Sequence, residues 1–342
     1  MNNHPPRTTG VLLINLGTPD SPKVGDVRRY LFQFLNDPRV IDIPWLSRKL
    51  LVNFIIVPFR APKSAAIYRE LWKRSKNESP LLVYGNELLE KMQAKFPENL
   101  VRFHLAMRYG NPSIPDVLEE VYKRQYDELI IVPLYPHYAS ASSGSTVEEV
   151  FRIVKDWYVQ PEIRVTGQFY QRDEFIFSFT ENARKFDLDS YDHFLFSYHG
   201  LPQRQVDKAH LNGRCDEKCE VEINAENRCC YKATCFDTTR RLIQELGLDP
   251  QKVTTAFQSR LDKNWIEPFS DKIVEDLAKK GNKRILVFSP AFVADCLETL
   301  IEIEDEYLEI FRENGGEELH LVPSLNAENH WVDGLTKIIG LE

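Results

Sequence analysis

Apolar and polar positions change period repeatedly along the chain. Short runs rich in β-branched and apolar residues at 11–16, 101–107, 128–132, 163–167, 193–198, 253–258, 284–288 and 320–323 predict eight strands. Segments with helical spacing lie between them, at 24–35, 87–95, 114–124, 146–156, 173–185, 238–245 and 271–280. Strands that alternate with helices and read as nearly unbroken apolar runs predict an α/β fold with two parallel sheets covered on both faces. The two halves echo each other. IIVPLYPHYASASSGST and ILVFSPAFVADCLETL share an apolar strand, a proline, an aromatic residue, small residues and a helix start. NLGTPD and SYHGLP each end the first strand of a half with a glycine turn.

The joint between the halves is expected within 158–172. This gives a first lobe over 8–160, a second over 161–326 with a cysteine-rich insertion at 203–236, and a C-terminal helix over 327–342 that packs back on the first lobe. Ligands of such folds bind outside the carboxyl ends of the strands, which here carry Asn15, Arg108, Tyr135, His137, His199, Gln258 and Asp295.

The 342 residues suit about two domains, and 43% hydrophobic with 27% charged residues excludes wholesale disorder, collagen and coiled coil. A net charge of −8 argues against nucleic acid as a partner. MNNHPPRTTG has no basic segment followed by an apolar run, so no secretory signal is read there. The apolar stretch 50–59 is interrupted by Asn53 and Pro58 and is far shorter than the roughly 20 residues of a spanning helix. The expectation is a cytoplasmic protein that at most touches the inner membrane from one side. Nothing in the pattern sets the oligomeric state.

Cysteine usage is uneven. Cys215, Cys219, Cys229, Cys230 and Cys235 share one polar window, while Cys296 stands apart. A disulfide framework belongs to short secreted chains, so a thiolate-held metal or iron–sulfur site is the better reading. The run C-x3-C-x9-CC-x4-C fits zinc knuckles poorly, whereas a [2Fe–2S] cluster needs four thiolates without strict spacing. Adjacent Cys229 and Cys230 do not easily both bind, because neighbouring side chains in extended chain point apart.

His199 lies directly after an apolar strand and before a glycine turn, a position suited to proton transfer or metal binding, although a single histidine is often merely structural. The segment after the seventh strand carries Asp295, Glu298, Glu302, Glu304, Asp305, Glu306 and Glu309. At about 100° per residue Glu298, Glu302, Asp305 and Glu309 share one face and Leu300, Tyr307, Leu308 and Phe311 the other. Spacing alone describes an ordinary solvated face; the location, just past a strand end, makes a line of hard oxygen ligands that could conduct a divalent cation or protons. Tyr30, Trp45, Phe54, Phe59, Arg60, Tyr68 and Trp72 mix aromatic and basic side chains in the first lobe. Core packing explains such a mixture, and so does a flat apolar ligand bearing carboxylates.

In order along the chain, LLINLGTPD, RRYLFQFLNDPRVI, SPLLVYG, AMRYGNP, PLYPHYA, SYHGLP, FQSR followed by Trp265, and FVADCLETLIEIEDEY resemble the ferrochelatase family from about Gly10 to Ser324. The resemblance implies two Rossmann-like lobes, each a four-stranded parallel sheet flanked by helices, with a cleft between them. It implies a lyase that inserts Fe²⁺ into protoporphyrin IX with release of two protons, the last step of haem biosynthesis. Carried over position by position, it makes His199 the cleft histidine and Glu298 the carboxylate facing it, supported by Asp295. Glu302 and Glu306 continue the acidic line that handles Fe²⁺. Arg60, Tyr68, Ser79 and Arg108 match positions that contact the porphyrin or its carboxylates, and Trp265 and Phe292 resemble aromatics around the macrocycle.

Cys296 stands where some relatives have a histidine, a replacement that resembles proteobacterial sequences and puts any metal relay through that position in doubt. Some members carry a [2Fe–2S] cluster, which here would use four of Cys215, Cys219, Cys229, Cys230 and Cys235. Cys235 aligns where cluster-free relatives also have cysteine. Chemically, bending a planar porphyrin exposes a nitrogen lone pair, a base must take the inner protons, and carboxylates must deliver iron loosely enough to release it. A haem- or iron-holding carrier, or a cobalt chelatase for another tetrapyrrole, are the competing readings. The Trp45 to Phe59 lip suggests peripheral contact with a bilayer.

Overall fold

The computed structural model describes residues 6–75 and 77–341. They form two compact units. One runs to Tyr135 and adds 139–167 and the tail from Thr336; the other comprises 136–138 and 168–335.

Each unit is built on one four-stranded, all-parallel sheet. In the first, β1 (Thr9–Thr18), β2 (Val101–Gly110), β3 (Glu128–Pro133) and β4 (Glu162–Val165) lie in the order β2-β1-β3-β4. In the second, β5 (His193–His199), β6 (Val253–Gln258), β7 (Arg284–Phe288) and β8 (Glu318–Leu321) take the order β6-β5-β7-β8. The two halves therefore repeat one topology. The leading strand is central in each sheet, so Val11, Leu12, Leu13 and Ile14, like Leu195 and Phe196, have no solvent exposure. Burial from both sides is why these strands read as continuous apolar runs rather than as alternation.

The helices Ile114–Arg124 and Ser145–Val154 cover one face of the first sheet through Leu118, Val121, Val150 and Val154 against Leu12, Ile14 and Ile131. In the second unit Ser270–Lys279 and the stretch through Phe311 cover one face, around Leu195, Ile285 and Val287. Phe196 and Phe288 stack at 4.4 Å between ring centroids.

Two boundaries differ from the sequence expectation. β4 pairs with β3 from Glu128↔Glu162 to Ile131↔Val165, so 161–167 belongs to the first unit, because the last parallel strand completes the sheet that the crossover left open. The C-terminal helix runs from Asn329 to Ile338, and its Trp331 is fully buried against Phe169 and Phe175 of the second unit. Only the tail from Thr336 joins the first unit, where Arg164 Nη1 donates to the Ile339 carbonyl at 2.6 Å.

One long helix was not legible in the sequence. Residues Trp45–Lys73 are helical throughout, with a π-helical stretch at Leu51–Ile56, and by length and composition alone this is a helix apolar enough to cross a membrane. Pro58 and Pro62 read as breakers, but the extra residue in the π-turn lets Val57 N–H reach the Val52 carbonyl just before Pro58. Its inner face, Val52, Val57, Ala61 and Ala65, packs on Val27, Tyr30, Leu31 and Leu35. Trp45, Leu46, Phe54, Ile55 and Phe59 point out, with Phe59 75% exposed.

Candidate active site

In each sheet the chain turns to opposite sides after its central leading strand, which leaves a crevice at the carboxyl ends where the strand order reverses. In the second unit that point lies between β5 and β7. His199 ends β5, and the segment holding Phe292, Asp295 and Glu298 follows β7.

His199 is half-buried and oriented from several sides. Its Nδ1 lies 2.6 Å from the Gly200 carbonyl oxygen, a contact that places the proton on Nδ1 and leaves the Nε2 lone pair open. The ring has Trp265 at 6.2 Å and Phe292 at 6.3 Å between centroids. Buried Tyr231 donates from its hydroxyl to the His199 carbonyl at 2.8 Å. The glycine after the histidine is required by crowding: a Cβ at Gly200 would sit 2.8 Å from the Gln258 carbonyl oxygen and 3.1 Å from the Trp265 ring. In NLGTPD the corresponding Gly17 has φ +114 and a Cβ there would collide with the Tyr109 carbonyl.

Gln258 is the register partner of His199 and connects it to the acidic segment. Its buried amide accepts from Ser197 Oγ at 2.8 Å and donates from Nε2 to the Glu298 carbonyl at 2.8 Å and to Glu302 Oε2 at 3.2 Å. Ser259 adopts the left-handed conformation, φ 64, unusual for a side-chain-bearing residue, and gives both its N–H (2.8 Å) and its hydroxyl (2.5 Å) to Glu302. Tyr307 adds a fourth donor at 3.1 Å. Four bonds occupy the lone-pair positions of one carboxylate, so Glu302 is anchored.

The acidic face differs from the one read off an ideal helix. Leu297–Leu300 is a single α-turn and Glu302–Tyr307 is π-helical, with Glu306 N–H bonded to the Ile301 carbonyl five residues back. The looser turn changes the spacing of the acids after Glu302 from that of an ideal helix. Burial, reinforced by the charges of Glu302, Asp305 and Glu309, raises the Glu306 carboxyl above its usual range. Such a group costs stability when ionised; the cost is absent below the ordinary carboxylate range and complete once pH passes the raised value. Glu306→Gln is therefore expected to leave the melting temperature unchanged near pH 4 and raise it by about 1 °C near pH 8. A lowered melting temperature near pH 8 would show that the charge is compensated.

Asp295 is buried and serves as a staple: it accepts from Ser324 N–H at 3.1 Å and Asn326 Nδ2 at 2.7 Å, tying the β7 loop to the segment after β8. Cys296 caps the short helix, with Thr299 Oγ1 accepting its N–H at 2.9 Å, and burial beside Glu298 pushes its thiol up. His137 is fully buried among Tyr170, Tyr198 and Tyr231, with Thr238 Oγ1 at 2.8 Å, and desolvation lowers it to about 3, so it is neutral at physiological pH.

In the first unit the candidate residues divide. Arg108 ends toward a buried network: Nη2 meets Asp37 Oδ2 at 2.8 Å and Nε donates to Ser145 Oγ at 2.7 Å, while Asp37 also accepts from Tyr109 (2.8 Å) and Ser145 (2.6 Å). Its charge is thus compensated inside the unit. Ser79 is buried, with its hydroxyl donated to Thr18 Oγ1 at 2.9 Å. Tyr68 packs edge-on against Trp72 and Tyr30. Arg60 is exposed on the long helix.

The family model Ferrochelatase matches residues 8–341. This chain belongs to the ferrochelatase family. Ferrochelatase of Legionella pneumophila (strain Lens) is 40% identical over 331 residues, 96% of this chain and 98% of that one. Ferrochelatase of Coxiella burnetii (strain Dugway 5J108-111) is 43% identical over 336 residues, covering 96% and 92%. Among solved structures, SirB from Bacillus subtilis with Fe³⁺ superposes with a TM-score of 0.54 at 12% identity, over 97% of this chain and 94% of that one, a likeness of fold. Family membership makes the chain a lyase that inserts iron into a porphyrin.

Within the cysteine-rich insertion, His210, Cys215, Cys219 and Cys230 bring their donor atoms within 4.8 Å of one another. Cys229 is exposed and Cys235 is buried one turn into the helix Tyr231–Leu246; neither joins the group. The donors that gather at this spacing among the described residues are three cysteines and a histidine, where the sequence points to four of the five cysteines. Cys229 and Cys230 are adjacent and do not converge, and Cys235 is directed by its helix. Cys230 sits at the N-cap of that helix, and hydrogen bonding from Cys215, aided by the Ala233 N–H and His210, lowers its thiol to about 5. His210 escaped the sequence reading; the one available signal was its spacing of five residues from Cys215.

Proposed function

We propose that the chain inserts Fe²⁺ into protoporphyrin IX to form protohaem, with His199 accepting the inner pyrrole protons and Glu298 and Glu306 passing the metal and relaying charge. The observation that carries this reading is the arrangement at the β5–β7 switch point. An imidazole with its Nδ1–H directed to a carbonyl presents Nε2 as the acceptor, and Gln258 links that strand end to the Glu298 and Glu302 backbone and side chain. Trp265 and Phe292 beside the imidazole offer the flat apolar surface that a macrocycle needs. Glu302, saturated by its four donors, acts as the fixed point from which Glu298 and Glu306 are positioned. Mixing the full chain anaerobically with protoporphyrin IX and Fe²⁺ should quench porphyrin fluorescence and produce haem absorption over many turnovers. Tight haem or porphyrin binding without turnover would instead make the protein a carrier.

We infer that the protein is cytoplasmic and touches the inner membrane through Trp45, Phe54 and Phe59. These side chains share the outer side of a helix whose inner side is committed to the core, which favours lying at an interface over spanning it. The chain should co-sediment with anionic liposomes at low salt, and Trp45→Ser with Phe59→Ser should reduce the bound fraction several-fold. Equal binding by the double variant would exclude this face. The insertion we read as a thiolate-held metal centre of structural role.

A further inference from the structure

We propose that His210, Cys215, Cys219 and Cys230 form a closed tetrahedral site for one thiophilic divalent ion of the zinc class, and not the cradle of a two-iron cluster. The spacing of the donors carries the argument. Around a single ion with metal–sulfur bonds of about 2.3 Å, tetrahedral ligand atoms lie about 3.8 Å apart. Here Cys215 Sγ and Cys230 Sγ are 3.6 Å apart, Cys219 Sγ and His210 Nε2 are 3.6 Å apart, and all four atoms fall within 4.8 Å of one another. A [2Fe–2S] cluster distributes its ligands over two irons, so one pair of donors must stand off from the other by the additional metal–metal separation. The four donors named here sit at the spacing of a single ion, with no such separation between one pair and the other. The full cysteine run fits zinc knuckles poorly, but once His210 joins Cys215, Cys219 and Cys230 the set of three cysteines with one histidine is an ordinary one for structural zinc.

The surrounding loop supplies the second observation. Between Lys208 and Cys229 only Cys215, Cys219 and Asn227 are buried, and the apolar Leu211 and Val221 are exposed. The turns are closed by polar side chains: Asp207 accepts the Cys215 N–H at 2.8 Å, and Asn227 Nδ2 donates to the Glu222 carbonyl at 2.7 Å. A loop with no apolar core and three converging thiols gains its order from a bound ion, whose binding energy becomes folding energy. Three thiolates and a neutral imidazole leave the ion with one net negative charge, which the N-terminus of the helix Tyr231–Leu246 beside Cys230 offsets. The next residue, Tyr231, donates to the His199 carbonyl, so the ion anchors a contact that orients the proton acceptor. None of the four donors takes part in the proposed porphyrin chemistry itself.

The full chain, purified aerobically and dialysed against a mild chelator to strip loosely held substrate metal, should retain one ion per chain and no acid-labile sulfide. Protein produced with Co²⁺ should show intense thiolate-to-cobalt charge transfer together with the visible bands of tetrahedral cobalt. Cys219→Ser and His210→Ala should lose these bands, His210→Cys should keep them in shifted form, and Cys229→Ser and Cys235→Ser should leave them unchanged. Two irons with two sulfides per chain, no retained ion, or full bands in His210→Ala would each overturn the proposal.

Discussion

Replacing His199 by alanine is expected to lower the rate of iron insertion by about 10²–10⁴-fold, the range over which a positioned proton acceptor contributes. The side chain ends β5, half-buried, and its contacts are the ring neighbours Trp265 and Phe292 and the Gly200 carbonyl. Removing it deletes a base and little packing. The register of β5 with β6 and β7 rests on backbone pairing and on the fully buried Leu195 and Phe196 earlier in the strand. The melting temperature and porphyrin affinity should therefore stay near those of the parent. Added imidazole should restore part of the rate, because the lost function is proton acceptance at Nε2. A rate within tenfold of the parent, or a loss explained entirely by weaker porphyrin binding, would remove His199 from proton transfer.

Glu298→Gln should be nearly as severe, at about 10²–10³-fold in rate, since the change keeps shape and deletes the charge that stabilises a cation in transit. Its backbone is held by the Gln258 amide at 2.8 Å and the short helix is capped through Cys296 and Thr299, so the neutral amide should occupy the same position. The expected split is a fall in kcat with the porphyrin dissociation constant, read by fluorescence quenching, unchanged. Loss of porphyrin binding with normal single-turnover chemistry would make Glu298 a binding residue. Glu302→Gln tests the neighbouring anchor. Because Glu302 accepts from four donors, its replacement disturbs the Ser259 turn and should cost stability as well as rate.

Local pattern determined a great deal about this protein by itself. Eight buried parallel strands announce themselves through uninterrupted apolar runs, because a strand covered on both faces has no polar side to show. SYHGLP and DCLET carry their chemistry in sequence because a strand end and the turn that follows are local objects. The crowding that demands Gly200 is itself produced by the neighbouring strand.

What the tertiary structure decided depends on partners distant in the chain. The acidic face was misaligned by the π-turn at Glu302–Tyr307, whose extra residue is stabilised by bonds from Ser259 and Gln258 more than forty positions away and leaves no periodic trace. Arg108 resembles a ligand contact in sequence, but Asp37 and Ser145, from two other segments, take up its guanidinium. The helix Trp45–Lys73 is disguised by prolines that a looser turn accommodates. Most of all, five clustered cysteines pointed only to thiols gathered in one loop. Which three converge, and that His210 completes them, follows from where an irregular loop folds back onto the first turn of a helix. Loop geometry of that kind is set by long-range closure and donor chemistry, which hydrophobic periodicity does not encode.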